Sequence, residues 1–214
     1  MLNDNPEITN SIEIRGTISS DFTFSHEVYG EGFYNFTVGT ARLSESVDFL
    51  PVTISERLIV GMDLMQGDLV DIRGQVRSYN NYIQEERRNR LLITIFAREI
   101  ELLNEMEITP KNPNNVFLDG FICKKPVFRE TPFGREIADI LLAVNRSYNK
   151  SDYIPCICWG RNARFASTLN VSDNVRIGGR LQSRIYQKKY DDGSVVEKNA
   201  YEISISKIGL VKDE

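Results

Sequence analysis

The amino-acid sequence repeats itself once, at a spacing of about 104 residues. Three segments of the first half return in the second half in the same order, and the glycines of the first pair, Gly16 and Gly120, are 104 positions apart. The paired segments are residues 12–18 and 116–122, residues 49–54 and 153–158, and residues 67–74 and 172–179. Such ordered self-similarity predicts that the chain consists of two copies of one fold.

The composition between the two copies indicates a linker. Residues 105–114 contain two prolines, two asparagines and no apolar periodicity, which is typical of a connection between folded units. A chain of 214 residues is long enough for two small domains. We therefore predict a first domain at residues 1–104, a linker at residues 105–114 and a second domain at residues 115–214.

Within each copy, apolar residues recur mostly at every second position, the period of a β-strand whose alternate side chains face opposite sides. The predicted strands are residues 11–20, 33–43, 48–55, 69–79 and 91–101, then 115–124, 136–146, 152–159, 175–188 and 199–209. One helix is predicted in each copy between the third and fourth strands, at residues 56–65 and 161–169. This order is that of the OB-fold, so the predicted fold class is mainly β, with two tandem five-stranded OB-fold barrels.

Charge is divided unevenly between the copies, although the net charge of the chain is only −4. Residues 1–104 carry 16 Asp and Glu against nine Arg and no Lys, a balance of −7. Residues 115–214 carry 16 Lys and Arg against 12 Asp and Glu, a balance of +4. Because phosphate binding depends on several cations placed close together, a polyanion is expected to prefer the second copy.

The sequence offers few residues for catalysis or for a metal site. His26 is the only histidine, and no nucleophile stands near it in a recognisable pattern. Cys156 and Cys158 form a Cys-x-Cys pair, but a structural zinc site needs four ligands, so we interpret them as small buried apolar residues. We therefore expect a protein that is not an enzyme and that has no cofactor and no metal.

Signals for secretion or membrane insertion are also missing from the sequence. It contains no run of about 18 uncharged apolar residues, and residues 1–6 provide neither a basic start nor an apolar stretch. A cytoplasmic location without membrane contact is therefore expected.

Three motifs of the second copy resemble those of one protein family. Residues 129–146 form a turn followed by a strand that ends in Leu-Ala-Val-Asn-Arg, residues 159–163 read Trp-Gly-Arg-Asn-Ala, and residues 179–186 read Gly-Arg-Leu-Gln-Ser-Arg-Ile-Tyr. In this order and spacing they resemble the DNA-binding domain of bacterial single-stranded DNA-binding proteins. The resemblance implies nucleoid-associated binding of single-stranded DNA, without sequence preference, in DNA replication, recombination and repair.

Binding of this kind requires rings that stack on unpaired bases and cations that track the phosphates. The family's stacking positions fall on four aromatic residues here: Tyr148, Tyr153, Trp159 and Tyr186. The cations near them, which we assign to phosphate contacts, are Arg146, Lys150, Arg161, Arg164, Arg180, Arg184, Lys188 and Lys189. The alternative for each ring is a place in the core or in a cross-strand pair, and for each cation a solvated surface position.

The first copy departs from the family at the same positions. The repeat alignment places Ser44, Ser55 and Asn81 opposite three of the four rings and keeps an aromatic residue only opposite Tyr153. The candidate secondary site of this copy consists of Arg42, Phe49, Arg57, Arg77, Tyr79 and Tyr82. Two interpretations stay open, weak single-strand binding and a structural pairing module, and the acidic balance of this copy favours the second.

The resemblance further implies an assembly and partners. Relatives present four OB-folds as tetramers or, with two per chain, as dimers, so we expect a homodimer whose partners are single-stranded DNA and replication proteins. The sequence stops soon after the last predicted strand, where the family carries a tail that recruits such proteins, so we do not expect tail-mediated recruitment. The alternative function is a primosome or replication-restart accessory protein whose OB-folds mainly bind protein partners. The sequence leaves open the choice between DNA and RNA and the number of nucleotides bound.

Overall fold

The structure is a computed structural model that describes residues 9–42, 44, 46–83, 88–104, 114–189 and 193–211. Within the strands, the side chains of residues 82, 83, 88, 89, 188 and 189 lie outside this description. Nearly all of the predicted linker, residues 105–113, also lies outside the described residues, so the predicted domain boundaries stay predictions.

The described residues form two similar sets of strands, each with one short helix. The first set consists of β1 (Asn10–Ile18), β2 (Thr23–Val28), β3 (Glu31–Ala41), β4 (Val47–Ser55), α1 (Glu56–Ile59), β5 (Leu69–Ile83) and β6 (Arg88–Leu102). The second set consists of β7 (Asn114–Ile122), β8 (Val127–Glu130), β9 (Glu136–Arg146), β10 (Lys150–Trp159), α2 (Arg161–Ser167), β11 (Asn174–Lys189) and β12 (Val195–Leu210). A three-residue turn, Ser147–Asn149, connects β9 to β10.

In each set, five strands close into a barrel. β1 pairs with both β3 and β5, β3 pairs with β4, β5 pairs with β6, and a short parallel pairing of β4 with β6 completes the ring. The second set repeats these pairings with β7, β9, β10, β12 and β11. Alternate side chains of β1 point into the barrel, where Ile12, Ile14 and Ile18 are buried. The predicted fold class, mainly β with two tandem OB-folds, is confirmed.

The helices are shorter than the sequence predicts. The helix predicted at residues 56–65 is wrong in length, because α1 ends at Ile59 and Gly61 then takes a φ of 80°. Val60 already leaves the helical conformation with a ψ of 123°, and the left-handed conformation that follows suits glycine, which has no Cβ to clash. α2 ends at Ser167 and buries Ala163 and Ala166 against the barrel. Among the described residues, no helix is long and apolar enough to cross a membrane.

Two strands of the structure, β2 and β8, are not among the predicted strands. β2 pairs with β3, and β8 pairs with β9, each at the edge of its sheet. Every residue of β2 and β8 is exposed, so neither strand has a buried face. Without a buried face, a strand lacks the apolar alternation that would reveal it in the sequence.

The first matched pair of glycines in the repeat lies where each barrel closes. A Cβ added to Gly120 on β7 would lie 2.5 Å from the carbonyl oxygen of Ala143 on β9. A Cβ added to Gly16 on β1 would overlap the carbonyl oxygen of Gly39 on β3. Only glycine therefore lets the first strand of each barrel approach the strand that closes it.

The two barrels join through their first strands. β1 pairs antiparallel with β7, so the strands of both barrels belong to one continuous sheet of 12 strands. The Asn10 side chain donates to the carbonyl oxygen of Val76 at 2.8 Å and accepts from its N–H at 2.9 Å. Asn114 makes the same two bonds with Leu181, at 2.6 Å and 2.9 Å. Each copy thus makes the same pair of hydrogen bonds within its own barrel, next to the β1–β7 pairing that joins the two barrels.

Candidate nucleic-acid interface

Asp48, at the start of β4, connects the first barrel to the second. Its carboxylate accepts hydrogen bonds from the Arg42 guanidinium at 2.5 Å and 2.7 Å, and from the backbone N–H of Ser183 on β11 at 2.8 Å. Burial alone would raise the pKa of Asp48, but the bonds from Arg42 and Ser183 outweigh it and hold the pKa below its ordinary value. A buried, ionised carboxylate therefore fixes one side of the contact between the barrels.

Asp152 makes the matching connection from the second barrel, at the start of β10. This fully buried carboxylate accepts from the Arg77 guanidinium at 2.9 Å and from the backbone N–H of Ser78 at 2.7 Å, both on β5 of the first barrel. The backbone N–H of Tyr153 donates to the Ser78 hydroxyl at 2.7 Å. The two buried aspartates thus hold β4 against β11 and β10 against β5, which sets how the barrel faces meet.

A groove of about 800 Å³, which we call the central groove, lies between the barrels. Aromatic and cationic side chains from both copies line it: Tyr79, Arg90, Arg184, Tyr186 and Tyr201. Arg90 spans the barrels by donating to the backbone carbonyl of Asn199 at 3.2 Å. Burial raises the pKa of the Tyr201 hydroxyl, so this ring is neutral at pH 7. Neutral rings next to guanidinium groups can hold flat, anionic ligands such as nucleotides.

The four predicted stacking rings differ in exposure. Tyr148 is 94% exposed, Tyr153 is 46% exposed and Trp159 is 42% exposed. Tyr186 on β11 is half-buried and lines the central groove. Exposed rings have a face available to a base, unlike rings packed in a core, but the assignment of these four residues to DNA contacts stays a prediction.

Tyr148 has an unusual backbone conformation. Its φ of 62° and ψ of 37° lie in the left-handed region, which costs a residue with a side chain roughly 1–2 kcal/mol. Asn149 follows with a φ of 54°. Backbone strain of this kind concentrates at functional sites, and here it accompanies the most exposed of the four rings.

A second cavity, which we call the junction pocket, has a volume of about 590 Å³ and also lies between the barrels. The first barrel contributes His26 on β2 together with Phe96 and Arg98 on β6. The second barrel contributes Tyr148 and Lys150 from the connection between β9 and β10. Tyr79 and Thr94 line both cavities, so the junction pocket adjoins the central groove.

Three predicted phosphate contacts line these two cavities. Arg146 and Lys150 line the junction pocket, and Arg184 lines the central groove. Arg146 lies 3.5 Å from the buried carboxylate of Asp152, and Arg184 lies 3.6 Å from that of Glu202. All three cations are exposed, so their charges face solvent beside the predicted rings.

Arg161, Arg164 and Arg180 are not among the described residues that line the two cavities. Arg161, at the start of α2, is exposed, and Arg164 pairs with Glu136 at 2.7 Å. Arg180 donates to the Gln182 side chain at 3.1 Å. The side chains of Lys188 and Lys189 lie outside the described residues. Tyr153 and Trp159 are likewise absent from the described residues that line the two cavities, so the structure does not bring all the predicted residues into one site.

The residues predicted for the secondary site of the first copy do not form one site in the structure. Arg42 and Arg77 hold the buried aspartates at the barrel contact, which is a structural role that the sequence did not predict. Phe49 and Tyr79 are about half exposed, at 51% and 48%, and only Tyr79 lines a described cavity. The last two members are Arg57, which is exposed and lies 3.3 Å from Glu31, and Tyr82, whose side chain lies outside the described residues.

Sequence reasoning missed several residues that line the cavities. Arg90, Phe96, Arg98 and Tyr201 all lie on the last strand of a barrel, where the quoted family motifs do not reach. The spacing of Phe96 and Arg98, two residues apart on β6, places them on one face of that strand and was the only signal available.

Two of the three cysteines are buried among apolar residues of the second barrel. Cys156 and Cys158 are both buried, and burial raises the pKa of the Cys158 thiol to about 12. Among the described residues, no group of three or more His, Cys, Asp or Glu side chains is placed to hold a metal ion.

Two OB-fold barrels with exposed rings and cations around the cavities between them are typical of proteins that bind oligonucleotides. Residues 113–211 match the single-strand binding protein family. Single-stranded DNA-binding protein B of Bacillus subtilis (strain 168) is 34% identical over 83 residues, which are 36% of this chain and 74% of that protein. The chain belongs to the single-strand binding protein family.

Two further comparisons extend this result. Single-stranded DNA-binding protein A of Bacillus subtilis (strain 168) is 36% identical over 83 residues, 36% of this chain and 48% of that protein. The chain thus spans about half the length of the first curated relatives that it matches. The crystal structure of the wild-type single-stranded DNA binding protein from Thermus aquaticus has a TM-score of 0.74 and 19% sequence identity, and the match covers 96% of this chain and 94% of that chain. At this identity the likeness concerns the fold, and it extends over both barrels.

Proposed function

We propose that this protein binds single-stranded DNA without sequence preference, as a non-catalytic protein of DNA replication, recombination and repair. The observation that carries the proposal is the exposure of Tyr148, Tyr153 and Trp159 together with the position of Tyr186 in the central groove. In this function, the rings stack on unpaired bases and the neighbouring cations contact phosphates. The names of the Bacillus subtilis relatives support the same function.

The distribution of charge supports nucleic acid as the ligand. Arg90, Arg146, Lys150 and Arg184 come from both barrels and lie at the two adjoining cavities. Lysine and arginine side chains that neutralise phosphates release counterions, so the affinity falls as the salt concentration rises. The acidic net charge of the chain does not oppose this, because the surface around the cavities determines the local field.

The test replaces two of the predicted stacking rings together, as Trp159→Ala and Tyr186→Ala. Each base stack contributes about 1–3 kcal/mol, so the double variant is expected to bind a labelled dT oligomer at least roughly thirtyfold more weakly. Fluorescence anisotropy of the labelled DNA measures the dissociation constant without relying on Trp159. Phe128→Ala is the matched control, because Phe128 is also 42% exposed but lies on the edge strand β8, away from both cavities.

Three results would contradict the proposal. One is an unchanged affinity of the double variant with intact folding, and another is an equal loss of affinity in Phe128→Ala. The third is an unmodified protein that binds dT oligomers only weakly yet forms a stable complex with a replication protein, which would favour the accessory function instead.

We further propose that the chain forms a homodimer that presents four barrels, located in the cytoplasm. Phe117 and Phe121 support an interface, because both are exposed on the outer side of β7. Light scattering at micromolar concentration should give twice the chain mass of 24.5 kDa. The mass of a single chain under these conditions would contradict the dimer.

A further inference from the structure

The junction pocket contains a set of rings that the family motifs do not include. The rings of His26 and Phe33 stack with centroids 4.9 Å apart and planes at 6°, and the ring of Phe33 lies 5.8 Å from that of Phe96. The Arg98 guanidinium lies over Phe96, 5.2 Å from its centroid. Because Phe33 is buried beneath them, His26 and Phe96 have a rigid apolar support.

The charges around the junction pocket are cationic, in contrast with the acidic balance of the first copy. Arg77, Arg98, Arg146 and Lys150 line it, and none of its described lining residues is Asp or Glu. The buried carboxylate of Asp152 pairs with Arg77 and lies near Arg146, but the structure records no ion pair of Arg98 or Lys150 within the described residues. The pocket therefore favours an anionic ligand.

The ring and the cation that β6 contributes to the pocket are specific to the first barrel. In the parallel pairs of the two barrels, Thr53 lies opposite Phe96 and its repeat counterpart Ile157 lies opposite Ser204. Phe96 therefore corresponds to Ser204, and Arg98, two residues later, corresponds to Ser206. The second barrel has serines where the first has a ring and a guanidinium, so the second barrel lacks the ring and the cation that β6 contributes to the pocket.

We propose that the junction pocket is a second contact site for the same DNA strand and binds one nucleotide unit, with the base on Phe96 and Tyr148 and the phosphate at Arg98 and Lys150. This inference rests on the proposed function. A DNA strand bound to the second barrel reaches the first barrel at Tyr148. The Tyr148 ring lines the pocket from the second copy. The first copy thus binds DNA, but through β6 and not through the positions that the family motifs indicate.

The test compares oligomers of two lengths. An oligomer of about 8 nucleotides is long enough for one OB-fold site, and one of about 30 nucleotides is long enough for two. Arg98→Ala removes an exposed cation from the pocket, and Phe96→Leu replaces the ring while keeping an apolar side chain. Together they are expected to weaken binding of the long dT oligomer about tenfold and binding of the short one much less, because a short oligomer can occupy the second barrel without entering the pocket.

Arg73→Ala is the matched control. Arg73 lies on the first barrel like Arg98, but it points to the outer face of β5, where it lies near Glu13 and Glu99. The control removes the same charge and should leave both affinities unchanged. The dependence of the long-oligomer affinity on salt should also decrease in Arg98→Ala, with a slope smaller by about 0.7, the value for one phosphate on a single strand.

The outcomes separate this inference from the proposed function. If the unmodified protein binds neither oligomer, the proposed function fails. If it binds both, and Arg98→Ala weakens long-oligomer binding no more than Arg73→Ala does, or weakens both lengths equally, the second contact site is overturned. Thermal unfolding checks each variant, and should Phe96→Leu lower the melting temperature, the exposed Arg98→Ala decides the result alone.

Discussion

At the scale of single residues, a substitution of Tyr148 should weaken DNA binding with little change in the stability of the fold. Replacing Tyr148 with Gly removes the ring and also relieves the left-handed strain at φ 62°. Glycine also gives the unfolded chain more conformational entropy. This lowers the free energy of unfolding by about 0.4–1 kcal/mol and offsets much of that relief. We therefore expect Tyr148→Gly to change the free energy of unfolding by no more than about 1 kcal/mol while weakening binding of dT oligomers about tenfold.

Tyr148→Phe is the control for this prediction, because it keeps the ring and the strained backbone. It should bind dT oligomers like the unmodified protein. Urea unfolding gives the stability of both variants and anisotropy gives their affinities. If Tyr148→Gly and Tyr148→Phe bound dT oligomers with equal affinity, the Tyr148 ring would make no contact with the DNA strand.

Asp48 provides a pH-dependent prediction. Its pKa lies below the ordinary value of 3.8 in the folded state, so its ionised form stabilises the fold above that pH. As the pH falls below 3.8 and through the lowered pKa, the folded state takes up a proton and this stabilisation is lost. Asp48→Asn, which leaves Arg42 without its carboxylate, should cost about 3 kcal/mol at pH 7 and less at pH 3.

Chemical unfolding of Asp48→Asn and of the unmodified protein at pH 7 and pH 3 measures this difference. All other carboxylates titrate in both proteins, so the comparison isolates Asp48. A difference in unfolding free energy that is the same at both pH values would contradict the role of the ionised Asp48 carboxylate.

Residue type and motif position predicted exposed rings better than they predicted the environment of the arginines. Tyr148, Tyr153 and Trp159 are exposed as a stacking role requires. Arg42 and Arg77 instead face buried aspartates, and the partner of Arg77 is 75 positions away in the sequence. The environment of an arginine depends on which carboxylate the fold brings to it, and neither charge balance nor spacing contains that information.

At the scale of elements, barrel closure depends on the matched glycines. In Gly120→Ala, the new Cβ would lie 2.5 Å from the Ala143 carbonyl oxygen, so β7 and β9 would have to move apart. Overpacking of this kind typically costs about 1–3 kcal/mol. Thermal unfolding should therefore show a lower melting temperature for Gly120→Ala.

Gly209→Ala on β12 is the control, because a Cβ there meets no atom within 4 Å. It should leave the melting temperature nearly unchanged. If both substitutions had the same effect, the close approach of β7 to β9 would not explain why position 120 is glycine.

Whether the sequence predicted a strand depended on whether that strand has a buried face. The first strand of each barrel alternates buried and less buried residues, so its period of two appeared in the sequence. β2 and β8 are exposed throughout and were missed as strands. The helix after β4 was predicted too long because the apolar residues beyond Ile59 continue past its end, where Gly61 takes a left-handed conformation.

At the scale of the whole molecule, the repeat predicted two barrels but not how they face each other. That arrangement depends on the pairing of β1 with β7 and on two buried aspartates that reach the opposite barrel. Asp48 and Ser183 are 135 positions apart, a separation at which strand periodicity and composition carry no signal. Both cavities between the barrels, and the cations that line them, follow from this arrangement and therefore required the structure.

DNA binding as proposed requires that exposed rings of the second barrel stack on unpaired bases. Trp159, the only tryptophan of the chain, reports on this directly through its fluorescence. We expect titration with a dT oligomer to quench Trp159, and an abasic strand of the same length, which offers phosphates without bases, to bind more weakly and leave the fluorescence nearly unchanged. Equal quenching by both strands, or tight binding of the dT oligomer without quenching, would contradict the account.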